Sequence, residues 1–193
     1  MKFCSECGAP VAVRVPQGDH RPRHVCKACG TVHYQNPKVV VGCIAQWEDK
    51  ILLCKRAIEP RRGFWTLPAG FMENGESARE GAARETLEEA NARVDIGPLY
   101  SLFNLPHIGQ LYLLFRARLL DLDFSAGDES TEVGLFTEAE LPWSGIAFAV
   151  VTETLKLYFS DRGSAGTLLH SGDIHRETTR NPGSERHYRV LLY

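Results

Sequence analysis

At 193 residues the chain has room for one ordinary domain with a real core and a small appendage. Its hydrophobic content of 44% and charged content of 24% are those of a globular protein, and a formal net charge of −2 excludes a chain whose main task is coating nucleic acid, though not a local basic patch. The start, Met1-Lys2-Phe3-Cys4-Ser5-Glu6, has no apolar signal region and no run approaches bilayer-spanning length, so a cytoplasmic protein without membrane contact is expected.

Residues 1–34 hold two Cys-x-x-Cys pairs, Cys4-Ser5-Glu6-Cys7-Gly8 and Cys26-Lys27-Ala28-Cys29-Gly30, and little that could form a core. Two residues between ligands let both sulfurs of a tight turn face one ion, and the glycine after each pair permits the positive φ that such a turn needs. Four thiolates close a tetrahedral shell and leave no position for substrate, so the expected ion is a structural zinc that staples a mini-domain. A ribbon of this kind also suits contact with a nucleic acid or a partner chain. Cys43 and Cys54 lie in apolar, strand-like stretches and read as buried small hydrophobes.

Asn36-Pro37 marks the seam to a second domain over 38–159. Lys38 to Ile44 and Ile51 to Lys55 read as a hairpin around the polar turn Trp47-Glu48-Asp49-Lys50. A loop at Glu59-Pro60-Arg61-Arg62-Gly63 leads to a short strand at Phe64–Leu67 and a Gly-punctuated loop from Gly70 to Gly75. Strands are expected near Leu99–Phe103, Leu111–Leu120 and Val133–Phe136, and a helix over Ile146 to Phe159. From 160 to 193 the chain is a polar tail, much of which (163–193) is expected to lack order.

The strongest helix signal is Ser77 to Ala90, where Ser77 and Glu80 form a capping box. With residues about 100° apart, Ala83, Leu87 and Ala90 share one stripe, expected to face the core, and Glu85, Glu88 and Glu89 gather on the opposite side. Like charges at these spacings repel unless a cation joins them, and Arg84 is the one basic residue next to these glutamates. Ala78 and Gly81 lie on the glutamate side, and a mid-helix glycine costs about 1 kcal/mol against alanine. The expectation is that these small residues leave room for a bulky ligand.

Gly70, five residues to Glu76, seven to Arg84-Glu85 and two to Glu88-Glu89 resembles the Nudix box, and Trp65-Thr66-Leu67-Pro68-Ala69-Gly70 resembles its lead-in. Ala69 stands where a second glycine is common, and Asn91 replaces the terminal glycine, a change that a residue tolerant of left-handed backbone absorbs. The resemblance implies an α/β fold, an α/β/α sandwich around a mixed sheet, preceded by a small zinc ribbon. It implies magnesium or manganese held by Glu85, Glu88, Glu89 and the Gly70 carbonyl, with Glu76 and Arg84 as orienting partners. Hard oxygen ligands suit that ion, which also binds substrate phosphates. A general base from a later loop is expected at Glu132, with Glu88 the other candidate.

Arg56, Arg61 and Arg62 precede the box as candidate phosphate contacts, and His107 lies in a loop suited to line a pocket. The whole chain resembles the ribbon-bearing FAD and ADP-ribose pyrophosphatase group, which implies cleavage of the diphosphate of FAD or ADP-ribose with release of AMP, in what is commonly a homodimer. Pro106 lies near where ADP-ribose-cleaving relatives place a proline. Alternatives are an NADH pyrophosphatase, whose Ser-Gln-Pro-Trp-Pro-Phe-Pro stretch is missing from 94–113, an RNA nucleotide-cap hydrolase, and a non-enzymatic binding module on a Nudix scaffold.

Overall fold

A computed structural model describes residues 1–162, 168–177 and 188–193 and divides them into two units, Met1–Pro37 and Lys38–Tyr193. In the first, β1 (Val11–Arg14), β2 (Arg23–Cys26) and β3 (Val32–His33) form an antiparallel sheet in that order. Gly8 and Gly30 take φ of 71° and 76°, the left-handed backbone that the two Cys-x-x-Cys turns require.

The second unit is built on one mixed sheet. Its strands are β4 (Lys38–Trp47), β5 (Lys50–Arg56), β6 (Trp65–Thr66), β7 (Ala69–Phe71), β8 (Val94–Leu105), β9 (Gln110–Leu119), β10 (Ser130–Phe136), β11 (His170–Arg176) and β12 (Tyr188–Leu192). The order is β10-β5-β4-β9-β8-β11-β12, with β6 on β5 and β7 on β4; β4 runs parallel to β9 and β8 to β11, and the other pairs are antiparallel. Glu48, at φ 53°, turns β4 into β5. Helix α1 (Ala78–Ala90) covers one face and α2 (Ala149–Ser160) the other. Strand alternation sorts the core accordingly: Ile44, Ile51 and Leu53 pack with α2, and Cys43, Leu52 and Cys54 pack with α1. Because both faces are covered, β4 is buried almost without interruption from Val40 to Ala45. Each fully buried Leu or Ile contributes about 1.5–3 kcal/mol. Among the described residues, no helix is long and apolar enough to cross a membrane.

Helix α1 begins as expected: the Ser77 Oγ accepts from the Glu80 amide, and the Glu80 carboxylate accepts from the Ser77 amide at 2.7 Å. Asn91 ends it at φ 49°, and its side-chain amide donates to the carbonyls of Ser125 and Ala126, which ties the 123–129 segment to the helix end. Helix α2 starts at Ala149 rather than Ile146, because Ile146 and Phe148 are extended and the Ala147 amide donates to the Trp65 carbonyl at 2.8 Å.

The expected polar tail is corrected. Residues 170–176 and 188–192 are strands of the main sheet; the remaining stretches of that expectation, 163–167 and 178–187, lie outside the described residues. Gly172 and Ile174 of β11 are buried by ordinary strand alternation. The entry to β11 is held by Asp161, just past α2, whose Oδ2 accepts from the Tyr100 hydroxyl and lies 2.8 Å from His170 Nε2. Burial works against ionisation of Asp161, but the contacts from His170 and Tyr100 outweigh it and hold its pKa below the usual carboxylate value.

Asp161 therefore binds protons more weakly folded than unfolded, so its contribution is present above the unfolded carboxylate range near pH 4 and is lost as pH falls through the folded value. Asp161→Asn is expected to lower stability by about 1–3 kcal/mol at neutral pH, with a smaller deficit at acid pH. Denaturant titrations across that range check both.

Candidate active site

The local backbone explains why the acidic residues of α1 meet a glycine. Gly42 of β4 packs against the Pro68 carbonyl and Ala69 so closely that a side chain there would collide with both. The 68–72 segment is thereby pressed onto β4, with Cys43 and Met72 amides donating to the carbonyls of Pro68 and Val39. Gly70 then lies directly beneath the Glu85 carboxylate, and a Cβ at Gly70 would run into it.

The helix face differs from the expected one. Glu85 and Glu89 are buried, at 9% and 6% exposure, along with Gly81, Ala82, Thr86 and Ala90, whereas Leu87 is 50% exposed. The carboxylates do not oppose the core; they enter a cleft at its edge. Nor do Ala78 and Gly81 leave space for a ligand. A Cβ on Gly81 would meet Val41 and the Glu76 carboxylate, so this glycine exists for close packing of helix on sheet.

Arg84 organises the carboxylates. Its Nη2 and Nε donate to Glu76 at 2.8 and 3.0 Å, its Nη1 to Glu85 at 2.7 Å and to Glu88 at 2.9 Å, and its Nη2 also reaches the Phe71 carbonyl at 3.2 Å. The Arg84 hydrogen bonds hold Glu76 down to about 2, so it stays an anion that fixes Arg84 in place. Glu89 is not served by Arg84. Among the described residues its Oε2 is buried without a hydrogen-bond partner, and burial together with the neighbouring Glu85 charge pushes its pKa up to about 8. Burial raises Glu85 as well. An orphaned buried oxygen beside a second buried carboxylate is the donor set that a hard divalent cation satisfies, so these residues fit one.

The cleft has a volume of about 1120 Å³, room for far more than a metal and a diphosphate. Gly70, Glu73, Glu85, Glu88, Glu89, Asp128 and Glu129 line its acidic end, and Arg56, Arg61, His107, Phe148, Arg176 and Tyr188 also line it. Of the expected substrate contacts, Arg56 and His107 are on the cleft; Arg62 is not, and is exposed to solvent instead. Glu132 is also off the cleft. It is exposed on β10, 3.1 Å from Lys55 Nζ. Glu129, three residues earlier, lines the cleft, and its charge is felt by both Glu85 and Glu89. Its placement follows from the loop: the Glu129 carbonyl accepts from the Ala57 amide at 2.8 Å, and the Gly127 amide donates to the Glu89 carbonyl at 3.0 Å. Phe148, Arg176 and Tyr188 also line the cleft and were not read from the sequence; the alternation in 170–176 was an available signal for Arg176 alone.

In the N-terminal unit, Cys4, Cys7, Cys26 and Cys29 bring their sulfurs within 4.8 Å of one another. The Cys4–Cys29, Cys7–Cys26 and Cys7–Cys29 sulfur separations are 3.7, 3.5 and 3.5 Å. Four thiolates at about 2.3 Å from a zinc ion stand about 3.8 Å apart, so the cluster fits that ion. The Thr31 hydroxyl, 3.1 Å from Cys29 Sγ, and the Thr31 backbone lower the Cys29 thiol to about 6, and His33 Nε2 lies 3.2 Å from Cys4 Sγ. Thr31 thus favours the thiolate of Cys29, and both contacts orient their sulfurs.

Two outcomes are expected. Purified protein should contain about one zinc per chain by metal analysis, and chelation should remove the β-structure of the ribbon while the cooperative melt of residues 38–193 persists. Gly70→Ala should fold yet lose about a hundredfold or more in turnover, because its methyl group displaces the Glu85 carboxylate; melting curves beside rate measurements check this.

Residues 36–149 match the family described as NUDIX domain, and residues 2–35 match that described as Nudix N-terminal, a zinc ribbon. An ADP-ribose pyrophosphatase of Methanocaldococcus jannaschii is 31% identical over 115 residues, 56% of this chain and 67% of that protein. An NAD-capped RNA hydrolase NudC of Chromobacterium violaceum is 33% identical over 93 residues, 48% of this chain and 33% of that protein. This chain thus spans about two thirds of the archaeal relative's length and a third of the NudC protein's. The crystal structure of a NUDIX hydrolase from Nitrosomonas europaea is 61% identical, with a TM-score of 0.88 over 91% of this chain and 100% of that one. The family match covers more than half of the 193 residues and includes the helix and loops that build the acidic end of the cleft, so this chain belongs to the Nudix hydrolases and carries an N-terminal zinc ribbon of their kind.

Proposed function

We propose that this chain hydrolyses the diphosphate bond of a nucleoside diphosphate derivative, FAD or ADP-ribose, and releases AMP. The observation that carries the reading is the buried, unpartnered Glu89 oxygen beside Glu85, in a cleft large enough for a whole dinucleotide-sized substrate. Glu85, Glu88, Glu89 and the Gly70 carbonyl are the groups assigned to hold magnesium or manganese. When bound, that ion neutralises diphosphate charge and activates a water for in-line attack on phosphorus.

The protein's own groups divide the remaining work. Arg84 holds Glu85 and Glu88 in fixed rotamers, and Glu76 pins Arg84, so the carboxylates need no reorganisation when substrate arrives. Glu129 is the group assigned to take the proton of the attacking water, because it stands at the acidic end on a loop tied to α1. Arg56 and Arg61 on the cleft wall supply positive charge for phosphate oxygens. His107 meets the remainder of the substrate. The similarity to an NAD-capped RNA hydrolase favours, as a second reading, the same chemistry on a capped RNA end.

The test is a panel of FAD, ADP-ribose, NADH and capped RNA with magnesium. Wild type should turn over FAD or ADP-ribose fastest, and Glu89→Gln should lower that rate at least about a hundredfold. Glu129→Gln should cost about a hundredfold and Glu132→Gln less than about threefold. The reverse ranking of the last two would return the base to Glu132. Absence of turnover on every substrate would favour a binding module.

A further inference from the structure

We infer that the C-terminal strands β11 and β12 form the wall of the cleft that recognises the flat base of a nucleoside, with Tyr188 and Phe148 as the rings it lies against. The inference rests on the hydrolase reading for its substrate class, but not for its geometry. The matched family region ends at residue 149, so both strands lie outside it.

These strands are a fixed wall. Strand β11 pairs in register with Ser101–Asn104 of β8, and the Asn104 amide donates to Asp173 Oδ1 at 3.2 Å. At Gly172 the chain is pressed so tightly between the Leu191 carbonyl and the Phe103 ring that no side chain fits. Tyr188 packs its half-buried ring against the main core and stands 6.2 Å from the His107 ring, tilted by 47°. Phe148 lies just before α2 and carries the Arg56 guanidinium 5.1 Å above its ring.

Tyr188 and Phe148 both line the main cleft and also the smaller recess of about 290 Å³ bordered by Thr152 and Val190. This part of the lining differs in chemistry from the carboxylate end. It joins aromatic faces to the hydroxyl of Tyr188 and to the positive charge of Arg176, its register partner on β11, with Glu153 at the rim of the recess. Flat rings with polar edges stack on such surfaces, and a cation beside them adds to the attraction. A sugar or a phosphate alone has no flat π-face to stack on either ring.

Titration calorimetry with AMP and with ribose 5-phosphate, in metal-free buffer, tests the assignment without turnover. Wild type should bind AMP more tightly than ribose 5-phosphate. Tyr188→Ala should weaken AMP about tenfold, the loss expected for one base–ring stack, and change ribose 5-phosphate by less than about twofold. Tyr188→Phe should keep most of the AMP affinity. In turnover, Tyr188→Ala should raise KM for the base-bearing substrate about tenfold and lower kcat far less. Equal losses for AMP and ribose 5-phosphate, an unchanged AMP affinity, a Phe variant as weak as the Ala variant, or a wild type that does not prefer AMP would each overturn the assignment. Failure of the substrate panel with AMP binding intact would overturn the hydrolase reading alone.

Discussion

Two carboxylates buried side by side, Glu85 and Glu89, set the terms for the rest of this structure. A buried charge without compensation costs several kcal/mol, and two adjacent ones cost more. Helix α1 has little apolar surface with which to offset that cost, since its sheet-facing residues are Gly81, Ala82, Thr86 and Ala90. Local devices fasten it instead: a capping box at one end, the left-handed Asn91 at the other, and the 123–129 segment bonded to both Asn91 and the Glu89 carbonyl. The same bonds that hold the helix also carry Glu129 to the cleft. Anchoring and site construction are one arrangement here.

Arg84 meets only part of the electrostatic demand. It reaches Glu76, Glu85 and Glu88, and leaves Glu89 with an unpaired oxygen and a pKa that favours the neutral acid near pH 7. A wholly structural network would have paired that oxygen. Its lack of a partner among the described residues, beside a glycine whose missing side chain gives Glu85 its place, is what makes a cation the fitting complement.

Features that depend on neighbours in the chain were legible in the sequence: the two Cys-x-x-Cys turns with their glycines, the capping box, the hairpin around Glu48 and the left-handed Asn91. The spacing of the acidic box was legible too. What failed were readings that depend on tertiary contacts. Polarity alone sends Leu87 inward and the glutamates outward, but the cleft at the helix–sheet edge admits Glu85 and Glu89 and leaves Leu87 in solvent. Glu132 and Glu129 cannot be told apart by composition. A bulge between Ser130 and Glu132 shifts the alternation of β10 and turns Glu132 toward Lys55. Strand β11 was missed because its partner, β8, is more than sixty residues away in the chain, and β12 pairs only with β11.

The acidic cluster and the aromatic wall therefore sit on separate elements that share one cleft. The acidic end is assembled from α1, the 68–72 segment and the 123–129 loop, all inside the matched family region; the aromatic wall draws Tyr188 and Arg176 from strands outside it. What joins the wall to the domain is polar as well as apolar. Asp161 ends α2, accepts from Tyr100 on β8 and holds His170 at the start of β11, so one carboxylate links three elements around the seat of the wall. Under the proposed base-binding role, changes to β11 and β12 alter which nucleoside is held without disturbing Glu85, Glu89 or Arg84. The constraint runs one way, because any change that frees α1 from its caps would move Glu129, Glu85, Glu88 and Glu89 together.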